Sequence, residues 1–249
     1  MRAAALGIVG CALLVAAFAA FAPATLVDRR VAAATGGKLR VVDAEGTVWN
    51  GRGALADAGG AWRLPVVWTV DATALARGAV AVRFAPPAGA SSPSGTIALA
   101  SAGIALRELR VDVPARAFAS ALPPRTPVAL GGTVAVTTAD FTGRADVLRG
   151  AVAARWRDAR VVAGGAVVNL GTVDLALAPQ DDRLGGRIAN TGGDLKIAGA
   201  VTLAPTSVAV DAMLTPLPSA PELVGRALAA LGPPSAGGGV QVTWRGALR

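Results

Sequence analysis

From Gly37 onward the chain alternates apolar residues with polar or small ones. Leu109, Val111 and Val113 fall on one side of such a run, with Arg110 and Asp112 on the other. Val173, Leu175 and Leu177 repeat the pattern around Asp174, and Leu195 and Ile197 flank Lys196. Val208, Val210 and Ala212 continue it, as do Val240, Val242 and Trp244. Successive side chains of an extended strand point to opposite faces. Period two with one polar set therefore predicts antiparallel strands with one face in solvent. Gly59-Gly60, Gly185-Gly186 and Gly192-Gly193 supply hairpin turns. No run of strands alternating with long helical segments is present, so a parallel α/β sheet is not expected. The chain reads as mainly β.

Two stretches have helical character. Pro114 to Leu122 is rich in alanine, carries Phe118 and ends at Pro123-Pro124. Pro221 to Leu231 places Val224, Ala227, Leu228 and Leu231 at i, i+3, i+4 and i+7, with Gly232 as a stop. Each follows a β-rich block. The order reads as a degenerate twofold repeat within one β-rich domain, 31–249, with candidate halves 31–123 and 124–249. Gly46-Thr47-Val48 in the first half is echoed by Gly132-Thr133-Val134 in the second, and Trp68 and Trp156 follow at comparable distances. Ala85–Gly95 and Pro233–Gly239 are low-complexity surface loops.

The N-terminus has a different character. Ala3 to Ala22 carries no charge and includes Leu6, Ile8, Leu13, Leu14, Val15, Phe18 and Phe21. A helix of about twenty residues spans about 30 Å, the thickness of a bilayer's hydrocarbon. Pro23 and then Asp28-Arg29-Arg30 mark the return to water. The segment, 1–30, is expected to be an uncleaved transmembrane anchor in contact with membrane lipid. The rival reading is a signal peptide cut after Ala20-Phe21-Ala22, but Pro23 would follow that cut. Ile8-Val9-Gly10-Cys11 has the form of a lipoprotein box, yet the apolar run continues well past Cys11.

Composition narrows the chemistry. There is no His and no Tyr, and Cys11 is the only cysteine. Ser-His-Asp and Cys-His nucleophile pairs, imidazole metal ligands and intrachain disulfides are thereby removed. No catalytic residue, metal site or cofactor is expected, and an enzyme ranks last among the readings. The net charge is +8, but the arginines are scattered and form no stripe tracking phosphates, so nucleic acid is not an expected partner. Asp181-Asp182 sits in a turn beside Arg183 and reads as solvated rather than as a cation site. Ala163-Gly164-Gly165 reads as a hairpin turn. Pro65 separates Trp62 from Trp68, so the two are expected either to line a shallow apolar groove or, the favoured reading, to lie one in the core and the other over an edge.

One hexapeptide carries more information than these. Gly46-Thr47-Val48-Trp49-Asn50-Gly51 opens the β-rich region, about twenty residues past the apolar segment. Its glycines suit turn conformations that other residues resist, and Trp49 offers a large apolar surface at a strand start. With it come Asn190-Thr191-Gly192-Gly193-Asp194-Leu195-Lys196-Ile197-Ala198-Gly199 and a terminal order of helix, glycine-rich loop and last strand. Together these landmarks resemble the type II secretion system protein N family. Gly46, Thr47, Val48, Trp49, Gly51, Gly193, Leu195 and Gly199 are the positions that carry the resemblance. The resemblance implies a twisted antiparallel β domain related to AsmA-like domains, held in the periplasm by a single pass through the bacterial inner membrane. It implies a non-enzymatic component of the secretion apparatus, contacting other inner-membrane or periplasmic components through strand edges or a sheet face. The AsmA-like relation carries an alternative, a lipid-binding or lipid-transfer module at the periplasmic face of the inner membrane.

Overall fold

The alternation is realised as antiparallel pairing. A computed structural model of the chain describes residues 21–90, 92–121, 128–163, 166–229, 232–235 and 238–247. The chain forms two compact units, Met1–Ser91 and Ser92–Arg249. Fourteen strands occur among the described residues.

In the first unit, helix α1 (Thr25–Ala34) precedes β1 (Leu39–Gly46), β2 (Asn50–Asp57), β3 (Arg63–Asp71) and β4 (Ala79–Ala85). Each strand pairs antiparallel with the next. Register places Gly51 opposite Trp68 and Trp68 opposite Phe84, so one face gathers the bulky residues. Val27 and Val31 of α1, one turn apart, lie against the buried Ala24, Val41, Val66 and Trp68. The carboxylate of Asp28 ties helix to strand, accepting from Arg40 Nε at 2.8 Å, Arg40 Nη2 at 2.6 Å and the Val41 N–H at 2.9 Å. A four-residue helix, α2 (Ala72–Leu75), follows β3; Asp71 caps it by accepting from the Thr73 N–H and hydroxyl.

The second unit is a longer meander. Its strands are β5 (Ser94–Ala100), β6 (Gly103–Pro114), β7 (Val128–Gly143), β8 (Leu148–Gly150) and β9 (Val152–Ala163). They continue with β10 (Ala166–Gln180), β11 (Arg183–Thr191), β12 (Leu195–Ala204), β13 (Ser207–Pro216) and β14 (Val240–Ala247). Sequence neighbours pair, except that β9 sits against β7 and the short β8 pairs with β7 off the main path. Helix α3 (Glu222–Ala229) sends Val224 and Leu228 into a core with Leu170, Val173, Leu195, Ile197 and Val240. A second cluster gathers Leu148, Leu177, Leu184 and Val201.

Two expectations need correction. Among the described residues no helix is long and apolar enough to cross a membrane. This overturns the N-terminal transmembrane helix in the expected fold, and with it the single-pass inner-membrane placement. The first described helix, α1, has ten residues and would span only about 15 Å. It starts beyond Pro23, and Asp28-Arg29-Arg30 lies inside it because Asp28 is needed to hold β1. Of the anchor residues, Leu6, Ile8, Leu13, Leu14, Val15 and Phe18 lie outside the described residues; Phe21 is 79% exposed.

The two helical stretches lie at Ala115–Ala121 and Glu222–Ala229, each after a run of strands. The first unit begins with a helix, and Ala115–Ala121 is a 3-10 segment rather than an α-helix. A short run ending before consecutive prolines leaves no room for the i to i+4 ladder. Finally, Trp62 and Trp68 are both buried, at 6% and 4% exposure. Trp62 precedes β3 and its N–H donates to Asp57 Oδ1, so Pro65 does not force the two apart. The glycines at 164 and 165 lie outside the described residues.

Candidate functional site

Strand register turns the sequence alternation into a surface with two distinct sides. In the second unit one row of cross-strand partners runs Val111, Val136, Ala154, Leu175, Ile188, Gly199, Ala212, Val242. Every member is apolar or glycine. The neighbouring row on the other face runs Arg110, Thr137, Ala153, Ala176, Arg187, Ala200, Asp211, Thr243. A slip of one residue would exchange the two faces, so apolar burial fixes this register.

The polar face is laced by ion pairs. Arg155 Nε lies 2.6 Å from Asp174, and Arg157 reaches Asp112 at 3.3 Å. These groups are largely exposed, and pairs of this kind contribute about 0–1 kcal/mol each. The face is solvated, with no arrangement aimed at chemistry.

The apolar face is covered only in part. Val224 and Leu228 of α3 close one region. Adjoining it is a cleft of about 220 Å³ lined by Ala154, Trp156, Val173, Leu175 and Ile188 of the sheet. Leu130 and Val134 of β7 and Ala115 and Phe118 of the 3-10 segment complete the lining. The one polar side-chain group in this set, the Trp156 indole N–H, is already committed to the Gly131 carbonyl at 2.8 Å. The cleft can therefore accept hydrocarbon, but it offers no acid, base or nucleophile. Among the described residues no group of three or more carboxylates, histidines or cysteines could hold a metal ion.

The fingerprint positions fall in two hairpins, one in each unit. Gly46 pairs with Gly51 at the β1–β2 turn. Gly46 has φ +88°, and a Cβ there would lie 2.6 Å from the Asn50 carbonyl oxygen. Thr47 closes the turn, accepting the Asn50 N–H on its hydroxyl. Val48 receives the Trp68 indole N–H at 3.1 Å on its carbonyl and donates its own N–H to the Ala22 carbonyl. The Trp49 carbonyl accepts from the Val70 N–H at 2.7 Å, and the Trp49 side chain is half-buried. A Cβ on Gly51 would run into the Trp68 ring. The hexapeptide thus joins β1, β2, β3 and the chain before α1.

The second hairpin links β11 and β12. Gly193, at φ +90°, presses against the backbone of Asn169 and Leu170, where a Cβ would come within 2.6 Å. Leu195 is buried among the residues beneath α3. Gly199 lies in the apolar row, where a Cβ would meet Ala212 at 2.6 Å.

Asn190 holds this turn together, a role that the sequence left unmarked. Its Nδ2 faces the carbonyls of Leu170, Leu195 and Gly192 at 2.8, 2.7 and 3.0 Å, and its Oδ1 accepts the Ile197 N–H at 2.6 Å. Only the tertiary approach of β10 supplies one of those carbonyls. The two hairpins serve structure in both units, and the Glu45–Arg52 ion pair flanks the first of them. Asp181 and Asp182 form the β10–β11 turn, with Asp181 at φ +57° and the Asp182 carbonyl accepting the Leu148 N–H.

No curated protein and no solved structure matches the chain. Residues 37–243, which include both hairpins and run to the middle of β14, match the family described as type II secretion system (T2SS), protein N. That span is most of the polypeptide, and the chain belongs to the type II secretion system protein N family.

Proposed function

We propose that this chain is a non-enzymatic part of the type II secretion apparatus that works through protein–protein contact. Membership of the family supplies the pathway. The observation that carries the contact reading is the two-sided sheet of the second unit, with an apolar row extending from Val111 to Val242 under partial cover. An incompletely covered apolar sheet face is an ordinary means of binding another macromolecule. The test is genetic and biochemical. A strain lacking the gene should secrete less of a type II substrate, the full chain should restore export, and secretion components should be recovered with it. Normal export without the chain ends this reading.

The cleft favours a second reading, in which it holds an acyl chain, in keeping with the expected relation to AsmA-like domains. Its lining is hydrocarbon throughout. Extraction of the purified chain, followed by mass spectrometry, separates the two. Stoichiometric lipid supports the second reading, and lipid-free protein that still restores export supports the first.

A further inference from the structure

Among the described residues β1 pairs only with β2, and β14 only with β13. The two strands differ in how that leaves them finished. β1 is interrupted by a bulge between Val42 and Glu45, with Asp43 at φ +54°. Its charged side chains are engaged in Arg40–Asp28, Asp43–Arg63 and Glu45–Arg52 pairs. Bulges and charges are the usual devices that keep a strand edge from recruiting another strand.

β14 has no bulge and a single charge, Arg245. It pairs with β13 in unbroken register from Leu214–Val240 to Ser207–Ala247. Its sequence, Val-Gln-Val-Thr-Trp-Arg-Gly-Ala, contains no proline, lysine or acid. Alternate residues of a strand aim their N–H and C=O groups away from the existing partner, and only another extended chain matches that spacing. On the apolar face of this strand Val240 is covered in the core beneath α3, whereas Val242 is half-buried and Trp244 is 42% exposed. The Trp244 ring lies over Gly246, where a Cβ would strike it, so the indole also shields the glycine backbone.

Charge decides what fits. Arg245 is the only charge on the strand, is exposed, and has no ion pair among the described residues. The chain carries +8 overall, so a second copy would bring like charge to the same edge. We propose that the outer edge of β14 accepts an extended segment of a partner protein, with apolar side chains meeting Val242 and Trp244 and an acidic side chain meeting Arg245. The inference rests on the protein-contact reading above and names the surface that performs it.

The full chain is titrated with two capped octapeptides, one alternating valine with glutamate and one alternating valine with lysine. Amide hydrogen exchange reports where each binds. The glutamate peptide should slow exchange in β14, and the lysine peptide should bind roughly fivefold more weakly or worse. Arg245→Glu should reverse that preference, and Thr243→Arg, on the same face, should tighten the glutamate peptide roughly threefold. Equal binding of both peptides overturns the inference, as does protection confined to Leu175 and Ile188, or protection in β14 that rises with protein concentration alone. If Arg245→Glu abolishes peptide binding yet still restores secretion, the β14 edge is not the working contact while the secretion reading stands. If the unaltered chain fails to restore secretion, the broader reading falls instead.

Discussion

The indole of Trp68 lies directly over Gly51, its register partner on the adjacent strand, and donates its N–H to the carbonyl of Val48 in the turn that precedes β2. A methyl group on Gly51 would occupy space held by the ring. Trp68 is nearly fully buried and cannot swing away without losing that hydrogen bond. Gly51→Ala should therefore destabilise the first unit by about 1–3 kcal/mol, the usual cost of overpacking. Gly225→Ala is the contrasting case. Gly225 sits in α3 with nothing within 4 Å of its Cβ position, so alanine should stabilise by about 0.5–1 kcal/mol through helix propensity. Urea denaturation of both variants checks the pair, and equal shifts would contradict the argument.

Asp28 gives a pH dependence with a definite sign. The hydrogen bond from Arg40 lowers its pKa from 3.8 to about 2; burial opposes this, and the Val41 N–H and the charges of Arg40 and Arg29 assist it. A carboxylate with a depressed folded pKa stabilises the fold above its unfolded value, near 4, and loses that contribution as pH falls through about 2. Because Arg40 is half exposed, solvent screening leaves about 1 kcal/mol. Asp28→Asn should cost about that much at pH 7. The gap between variant and parent should close between pH 4 and pH 2, and a gap unchanged across that window refutes the assignment.

Asn190 tests the second hairpin. Asn190→Ala leaves three backbone carbonyls and the Ile197 N–H without their side-chain partner, and should cost about 2–3 kcal/mol. Asn190→Asp should be worse at pH 7 than at pH 3, since an ionised oxygen would face those carbonyls. Thermal melts at the two pH values read this out, with recovery at low pH as the expected result.

Filling the cleft separates its two uses. Ala154→Leu places extra volume among Trp156, Leu175 and Ile188. Binding of a fluorescent hydrocarbon probe should fall at least several-fold with folding stability changed by about 1 kcal/mol or less. Unchanged probe binding would place the hydrocarbon elsewhere.

Truncating the cover is the last test. Leu228→Ala removes a buried side chain that meets the core beneath α3 and should cost about 2–4 kcal/mol. Hydrogen exchange should rise first in α3 and in β12, which carries Leu195 and Ile197.

The strands were legible because alternation is local: a residue and its neighbour two along share a face whatever the rest of the chain does. Val173, Leu175 and Leu177 could be assigned to one side from sequence alone, and so could the α3 residues Val224 and Leu228. The family likewise followed from the Gly46–Gly51 hexapeptide. What those residues do was less visible. That Gly51 makes room for Trp68, that Gly199 admits Ala212 and that Asn190 bonds the Leu170 carbonyl all depend on which strands become neighbours. Helix α1 was misread because a charged triplet reads as a return to water until its Asp28 is seen bound to Arg40 and Val41.

The sequence by itself determined the pleated, antiparallel character of this protein, the polarity of each strand face and the family. Tertiary structure alone decided the boundary at 91/92, the cleft beside Trp156 and the contrast between β1 and β14. Facial polarity is set by nearest neighbours along the chain, whereas clefts, edges and close backbone approaches arise from partners far apart in sequence, which no local pattern encodes.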